Sequence, residues 1–367
     1  MTLHRTPRCA AVALAGALTL AACGGGDAGS EDPAASSGGG DLAGSFDGAG
    51  SSAQTAAMQA WQVGFQDANP DVTVNYDPVG SGGGREQFID GGVSFAGSDS
   101  YLDDEELAAA EERCAGAGAI DLPIYISPIA IVFNLEGIDT VNLAPATIAG
   151  IFAQDITNWN DDAIASDNPD VELPDLAITP VNRSDPSGTT DNFTAYLSAV
   201  APDVWTDEPS DEWPIPGGEA ANGTSGVIQA VGGGEGAIGY ADASQAGELG
   251  TAAVGVGEEF VEYSADAAAA VVEASTPVEG RGEFDLAIDL ARDSTESGVY
   301  PIVLVSYHVA CLKYDDAEEQ TLVKAFLTYV ASEEGQQAAA EAAGSAPISD
   351  SLREQVMTSI EAIGSEA

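Results

Sequence analysis

The stretch Asn182-Arg183-Ser184-Asp185-Pro186-Ser187-Gly188-Thr189-Thr190 joins a predicted strand to a predicted helix. An apolar strand-like run, 176–181, precedes it, and apolar side chains at helical spacing follow it from Phe193 to Val200. The first N–H groups of a helix have no partner within the helix, and the helix dipole makes that end positive. Hydroxyl groups and the Arg183 guanidinium add donors. The stretch therefore predicts a site for a small tetrahedral anion, with an ordinary helix cap beside a surface arginine as the alternative.

Two similar Gly/Ser-rich turns lie upstream, each between a predicted strand and a predicted helix. Residues 48–52 follow a short strand at 42–46, and residues 80–84 follow an alternating strand at 72–76. Another strand, 93–97, ends at Ser98-Asp99, and an acidic helix is predicted over 103–114. This alternation indicates an α/β fold. Neither turn completes a dinucleotide or phosphate-loop fingerprint, so nucleotide binding is disfavoured.

The remaining patterns extend this α/β organisation. The apolar run 120–133 contains Pro123 and Pro128 and predicts either two strands or a crossover between lobes. We predict a helix over 143–152, a surface loop over 203–213 and a short helix from Gly223. Buried strands are predicted at 236–240 and 300–305, and an amphipathic helix at 322–330 continues toward 336. The acidic positions near 155–159 do not match a calcium loop.

The N-terminus has the pattern of a targeting segment. His4, Arg5 and Arg8 precede an apolar run over 10–22 that is too short to span a bilayer. The run ends Leu20-Ala21-Ala22-Cys23, which resembles a bacterial lipobox. The resemblance implies a cleaved signal peptide over 1–22 and a Cys23 that carries diacylglycerol and palmitate. A flexible Gly/Ser-rich tether is predicted over 23–41, and a plain secretory signal is the alternative.

The chain is strongly acidic. Sixty acidic residues against ten basic ones give a formal net charge of −50. Removal of Arg5 and Arg8 with the signal peptide leaves eight basic residues and a charge of −52. Such a surface repels nucleic acid and anionic lipid, so no nucleic-acid partner is expected. Because so few cations are available, the position of Arg183 beside an anion loop carries more weight.

Four cysteines are present, and two of them remain in the predicted folded body. Cys9 lies in the signal peptide and Cys23 is the predicted lipid attachment site. Outside the cytoplasm two remaining thiols usually pair, so we predict a disulfide between Cys114 and Cys311. Two free buried thiols are the alternative.

Taken in order, these segments resemble the phosphate-binding lipoprotein of bacterial phosphate ABC importers. The matching segments are 48–52, 80–87, 93–99, 143–159, 183–190, 236–240 and 300–305. The resemblance implies an α/β, two-lobed, periplasmic-binding-protein-like fold of type II. Each lobe would be a mixed sheet flanked by helices, with the ligand in the interlobe cleft. Lobe 1 would comprise residues 42–126 and 303–367, and lobe 2 residues 127–302.

The resemblance also implies a set of phosphate ligands. These are hydroxyl, backbone and guanidinium donors with two carboxylates: Ser52, Ala53, Ser81, Asp99, Arg183, Asp185, Ser187, Gly188 and Thr189. Asp185 would pair with Arg183. Family members often carry an aromatic residue at the position of Ala53, where the main chain is the ligand.

Asp99 would be the acceptor in this set. Phosphate near neutral pH keeps a proton that can be donated to a carboxylate, whereas sulfate has none and would leave two acceptors facing each other. We therefore expect Asp99 to select phosphate over sulfate. A helix cap before Leu102 is the alternative role for this carboxylate.

Other functions fit the sequence less well. A binding protein for sulfate, molybdate or a phosphonate, and a phosphate sensor without a transport role, remain alternatives. Catalysis is disfavoured because His308 is the only histidine after the signal peptide and no Gly-x-Ser-x-Gly pattern surrounds Ser187. We predict no enzyme activity, no cofactor and no metal. The expected partners are inorganic phosphate and ABC permease subunits with their ATPase. The protein is expected to be a monomer, anchored by its lipid to the extracytoplasmic face of the cell membrane.

Overall fold

The structure is a computed structural model that describes residues 42–365. The predicted signal peptide and the whole predicted tether, with Cys23, lie outside the described residues. The helices are α1 (Thr55–Ala68), α2 (Ser81–Ile89), α3 (Asp104–Arg113), α4 (Pro145–Phe152), α5 (Asp162–Asp167), α6 (Gly188–Val200), α7 (Gly223–Gly233), α8 (Ala265–Ala274), α9 (Ala317–Ala331), α10 (Glu333–Ala343) and α11 (Asp350–Ala362).

The strands alternate with these helices over most of the chain, as the sequence predicts. They are β1 (Gly44–Gly50), β2 (Val72–Asp77), β3 (Phe95–Ser98), β4 (Ala119–Phe133), β5 (Thr140–Leu143), β6 (Thr179–Arg183), β7 (Glu219–Ala221), β8 (Ala237–Asp242), β9 (Gly250–Val256), β10 (Glu259–Val261), β11 (Thr276–Pro277), β12 (Ile288–Asp289) and β13 (Val303–Cys311).

The main sheet is continuous but has two halves that share β4. In the first half the order is β2-β1-β3-β13-β4, with β1 parallel to β2 and β3, and β13 antiparallel to its neighbours. In the second half β4 pairs antiparallel with β8, and β6 lies parallel between β8 and β7. We call the first half with α1–α3 and α9–α11 lobe 1, and the second half with β5, β9, β10 and α4–α8 lobe 2.

Strand β4 carries the chain from lobe 1 to lobe 2. Of the two alternatives for the run 120–133, two strands or a crossover between lobes, the structure shows the crossover, made by one strand. All fifteen of its residues are buried, in keeping with its nearly unbroken apolar sequence. Pro128 pairs with Val303 of β13, and the next residue, Ile129, pairs with Asp242 of β8. Proline has no N–H for a sheet ladder, so Pro128 suits the position where β4 changes partners.

Three local predictions need correction. Leu143 ends β5 instead of starting a helix, because Pro145 occupies the first position of α4, where a proline is well tolerated. The segment 203–213 is irregular, as predicted, but Trp205 is buried and packs 5.3 Å from Trp213, so it is not simply a surface loop. The C-terminal helix stops at Ala331, because Ser332 ends α9 and caps α10.

The cysteine prediction holds in the structure. Cys114, at the end of α3, and Cys311, at the end of β13, form a disulfide with a Cα–Cα distance of 5.0 Å. Both cysteines are fully buried. The bridge joins residues 197 positions apart in sequence and fastens α3 to β13, which lies between β3 and β4.

Strands β11 and β12 form a separate hairpin whose connecting loop lies against lobe 1. Arg281 in this loop donates to the carbonyl of Leu102 at 2.8 Å and to Asp121 at 2.7 Å. Asp285 lies 3.0 Å from Nε of the same arginine. Among residues 42–365, no helix combines the length and apolar character needed to cross a membrane.

Candidate functional site

Four helices begin at the cleft between the lobes: α1 and α2 from lobe 1, and α6 and α7 from lobe 2. In each case the first turn of the helix, or the segment just before it, is rich in Gly, Ser or Thr. The first N–H groups of each helix have no partner within the helix, so these starts give the cleft a positive potential without a large number of cationic side chains. This is the arrangement that favours an anion.

Ser52 contacts the opposite lobe directly. Its Oγ lies 3.0 Å from Oγ1 of Thr224 and accepts a hydrogen bond from the Thr224 N–H at 3.0 Å. Gln245 of lobe 2 donates to the Ser52 carbonyl, also at 3.0 Å. The neighbouring Ala53 is fully buried, and its N–H donates to the Ser51 hydroxyl at 3.1 Å. Lobe 2 thus fixes the orientation of the Ser52 hydroxyl.

Ser81, Asp99 and Gly188 meet at the centre of the cleft. The N–H of Asp99 donates to Oγ of Ser81 at 3.1 Å. Gly188 approaches both so closely that a Cβ built on it would lie 2.7 Å from Ser81 Oγ and 2.7 Å from Asp99 Cβ. Only a residue without a side chain allows the start of α6 to reach lobe 1 in this way.

The carboxylate of Asp99 is buried and incompletely bonded. Oδ2 accepts from the Thr189 hydroxyl at 3.3 Å, whereas Oδ1 has no hydrogen-bond partner within the part of the chain that the structure describes. Burial raises the pKa of Asp99 above its usual value. The hydroxyls of Ser51 and Ser306 and the charge of Arg183 act in the opposite direction, but neither hydroxyl has hydrogen-bond geometry to Oδ1.

Arg183 and Asp185 form the predicted pair. Nε of Arg183 donates to Oδ1 of Asp185 at 2.8 Å, and Nη2 donates to Oδ2. Gly223 adds a backbone donor to the same carboxylate at 2.9 Å. Burial alone would raise the pKa of Asp185, but the hydrogen bonds and charge of Arg183 outweigh it and hold this pKa below its usual value.

Gly80 brings lobe 1 against this pair. Its φ is +97°, and a Cβ there would lie 2.6 Å from Oδ2 of Asp185 and 2.7 Å from the Pro186 carbonyl. Two glycines, one in each lobe, therefore permit the close approach of the two anion loops.

Ser187 and Thr190 organise the start of α6. Ser187 is the N-cap, and its Oγ accepts from the Thr190 N–H at 3.3 Å. The Thr190 hydroxyl lies 2.8 Å from the hydroxyl of Tyr240, which also accepts from the Arg183 N–H at 3.4 Å. Burial raises the pKa of Tyr240 to about 12, so this phenol stays protonated and keeps its hydrogen bonds.

The structure brings all nine predicted site residues to the cleft, but sequence reasoning missed three others. Thr224 binds Ser52, Asn192 donates to the Asp99 carbonyl at 2.7 Å, and Asp211 accepts from the Ser187 N–H through its carbonyl at 2.9 Å. Thr224 had a recognisable signal, since Gly223-Thr224-Ser225 is a fourth Gly/hydroxyl helix start. Asp211 lies in an irregular acidic segment that offers no such pattern.

His308 does not belong to this site. It is fully buried in β13, its Nε2 lies 3.2 Å from Oε1 of Gln54, and burial lowers its pKa to about 3. No group of three or more His, Cys, Asp or Glu side chains within the described range could hold a metal ion.

The structure has two α/β lobes joined by a crossing strand, and helix starts and hydroxyl groups from both lobes meet in the cleft between them. This arrangement defines a two-lobed binding protein for a small solute. Comparison with known proteins agrees with this class. A family model described as a PBP superfamily domain matches residues 35–334.

Two curated relatives match most or nearly all of the chain. The phosphate-binding protein PstS 3 of Mycobacterium leprae is 38% identical over 320 residues, covering 86% of this chain and 85% of the relative. PstS 3 of Mycobacterium tuberculosis (strain H37Rv) is 36% identical over 376 residues, covering 99% and 100%. The chain therefore belongs to the PBP superfamily and, within it, to the family of PstS phosphate-binding proteins.

Solved structures agree on the fold. A high affinity periplasmic phosphate-binding protein (PfluDING) bound with phosphate superposes with a TM-score of 0.68 at 24% identity, covering 86% of this chain and 93% of that one. A putative phosphate ABC transporter substrate-binding protein with bound phosphate from Clostridium perfringens gives 0.59 at 20% identity, covering 83% and 100%. These likenesses confirm the two-lobed α/β fold.

Proposed function

We propose that this chain captures inorganic phosphate between its two lobes and delivers it to an ABC-type phosphate importer. The observation that carries the proposal is the buried carboxylate of Asp99, whose Oδ1 lacks a partner among the described residues beside a set of anion-binding donors. An acceptor in an anion site suits a ligand that still carries a proton, as phosphate does. The names of its relatives, phosphate-binding protein, support the same ligand.

The charges of the site favour recognition by hydrogen bonds over net attraction. Arg183 and Asp185 neutralise each other, and ionised Asp99 leaves the three with a net charge of −1. The attraction for phosphate must therefore come from helix starts and hydroxyls. Such fixed dipoles also impose a geometry, so they discriminate between anions by shape and protonation.

Lobe 1 would contribute Ser52, Ala53 and Ser81. The Ser52 oxygen can accept from both the N–H and the hydroxyl of Thr224, which leaves its own proton for the anion. The N–H of Ser52 and the hydroxyl of Ser81 would complete this side. The N–H of Ala53, which donates to Ser51 Oγ in this structure, would exchange that acceptor for the ligand. Asp99 would accept the proton of the ligand.

Lobe 2 would contribute Arg183 and the start of α6. Asp185 binds Nε and Nη2 of the guanidinium, so Nη1 is the nitrogen outside the pair and the one that would reach phosphate. Ser187, Gly188 and Thr189 would add hydroxyl and backbone donors at the positive end of the helix.

The proposal extends to the setting of the protein. We propose a monomer that Cys23 anchors by acyl chains to the extracytoplasmic face of the cell membrane, where permease subunits and their ATPase would receive the phosphate. Lobe 1 is proposed to comprise residues 42–126 and 303–367, and lobe 2 residues 127–302. The change of partner along β4 at Pro128 and Ile129 supports this division.

A melting experiment on the ligand-stripped protein tests the ligand. A ligand that binds only the folded state raises the melting temperature by mass action. We expect phosphate to raise it at concentrations where sulfate and molybdate have no effect. A shift with sulfate or molybdate but not with phosphate would establish another oxyanion as ligand, and no shift with any of them would overturn the proposal.

A further inference from the structure

Asn192 lies one turn into α6 and joins the two lobes through its side-chain amide. It is 2% exposed. Nδ2 donates to the carbonyl of Asp99 in lobe 1 at 2.7 Å and to the carbonyl of Gly188 in lobe 2 at 2.8 Å. One amide group therefore connects the backbone of the predicted acceptor to the backbone of a predicted donor.

Arg292, which follows the β11–β12 hairpin, fixes this amide from the other side. Its Nη2 donates to Oδ1 of Asn192, and its Nη1 donates to the Asn192 carbonyl at 3.2 Å and to the Val303 carbonyl at 3.3 Å. A flipped amide would place its NH₂ group against the guanidinium. The arginine thus dictates which end of the amide faces Asp99.

The environment of Arg292 makes this contact important to the arginine as well. Burial lowers its pKa, and the charges of Asp191 and Asp289 act in the opposite direction. Within residues 42–365 its hydrogen bonds go to oxygens of Asn192 and Val303 and not to a carboxylate. Asn192 therefore accepts hydrogen bonds from Arg292 and donates one across the cleft to Asp99.

We propose that Asn192, oriented by Arg292, is a positioning residue that locks Asp99 against the start of α6 when the lobes close, and so sets the rate at which phosphate leaves. The inference rests on the proposed phosphate function. When the lobes separate, the bond from Asn192 to the Asp99 carbonyl must break, whereas its bond to Gly188 stays within lobe 2. The hydrogen bond from Asn192 to the Asp99 carbonyl, which we call the latch, therefore stabilises the closed state. It has little effect on the rate at which phosphate binds.

Two substitutions separate the latch from simple packing. Asn192→Ala removes both functions of the amide. Asn192→Asp keeps the size and gives Arg292 an ionic partner, but its carboxylate cannot donate to the Asp99 carbonyl. A buried carbonyl left without its donor in the closed state should make dissociation roughly fivefold to 150-fold faster.

Asn168 provides a matched control. It is 3% exposed, and its Nδ2 also bridges two carbonyls, those of Asn142 at 2.7 Å and Ile164 at 2.9 Å. All these contacts lie within lobe 2, away from the cleft. Asn168→Ala should therefore lower the stability of the fold without changing phosphate release.

The measurement is the release of radiolabelled phosphate after dilution into unlabelled phosphate, with the association rate obtained separately. We expect release to accelerate at least roughly fivefold in Asn192→Asp and Asn192→Ala, with association nearly unchanged and Asn168→Ala like the wild type. If the wild type binds phosphate and Asn192→Asp, which conserves side-chain volume, releases it at the wild-type rate, the latch is overturned. If the wild type binds no phosphate, the proposed function itself fails.

Discussion

Arg85 of lobe 1 and Asp211 of lobe 2 form an ion pair across the cleft, with 3.1 Å between Nη2 and Oδ2. Arg85 is also bound by Glu106 within its own lobe at 2.7 Å. The carbonyl of Asp211 accepts from the N–H of Ser187, the N-cap of α6. The pair therefore links the start of α6 to a fixed cation of the other lobe.

Asp211→Asn should weaken phosphate binding because it removes the charge of a cross-lobe pair while the backbone contact to Ser187 remains. The carboxylate is partly exposed, so its contribution is about 0.2–1 kcal/mol, or up to roughly fivefold in affinity, and it should shrink as salt is added. Titration calorimetry at low and high salt measures both effects. Glu212→Gln is the control, since this neighbouring side chain is exposed; equal affinities for both variants would contradict a role for the pair.

Asp99→Asn should change which anion is bound. The amide can donate to an oxyanion that carries no proton, whereas the wild-type carboxylate would face that anion as a second acceptor. We expect sulfate to gain at least roughly fivefold in affinity relative to phosphate, since an unpaired buried acceptor costs about 1–3 kcal/mol. Competitive calorimetry with the two anions measures the ratio. Unchanged rejection of sulfate would show that Asp99 does not set selectivity, and the exposed Asp90→Asn serves as the charge control.

The sequence predicted those parts of the site that depend on local patterns. Ser187 to Thr189 were recognisable because a Gly/hydroxyl turn before an apolar helical repeat specifies a helix start. Asp99 was recognised through family resemblance. The partner of Arg85 could not be read in this way, because Asp211 lies 126 positions away in an irregular segment and meets Arg85 only after the lobes fold and close. The latch at Asn192 was missed for the same reason.

The fold was predictable where one segment of the sequence forms a single helix or strand. The run 120–133 remained ambiguous because an apolar stretch does not reveal how many partners it pairs with. The structure makes it one strand, with β13 beside its first part and β8 beside its last. The burial of Trp205 was also unreadable, since its acidic and proline-rich surroundings are typical of an exposed loop while Trp213, its partner, packs against lobe 2.

Gly188→Ala tests whether binding requires close approach of the lobes. The variant keeps the backbone N–H, but its Cβ would lie 2.7 Å from Ser81 Oγ, closer than real contacts allow. We expect at least roughly tenfold weaker phosphate binding, because strain of a few kcal/mol falls on the closed state alone. Small-angle scattering should also show less compaction with phosphate than in the wild type.

Gly233→Ala is the matched control for this substitution. Gly233 ends α7 in the same lobe, and a Cβ there would meet no atom within 4 Å. Both variants replace a helical glycine with a better helix former, so neither should lower the stability of lobe 2. Wild-type affinity in Gly188→Ala would show that the lobes need not approach as closely as in this structure.

Asp242→Asn should make the protein more stable at neutral pH. Asp242 is fully buried at the end of β8 and accepts from the Tyr125 hydroxyl at 3.1 Å, and burial raises its pKa to about 6. The folded protein thus holds a proton that the unfolded chain releases near pH 3.9, so rising pH between about 4 and 6 costs the wild type up to about 3 kcal/mol of unfolding free energy. Urea unfolding across this range should show the wild type losing stability relative to Asp242→Asn. Parallel profiles for the wild type and Asp242→Asn would mean that Asp242 does not titrate in this range, and Asp139→Asn, at an exposed position, is measured alongside as the control.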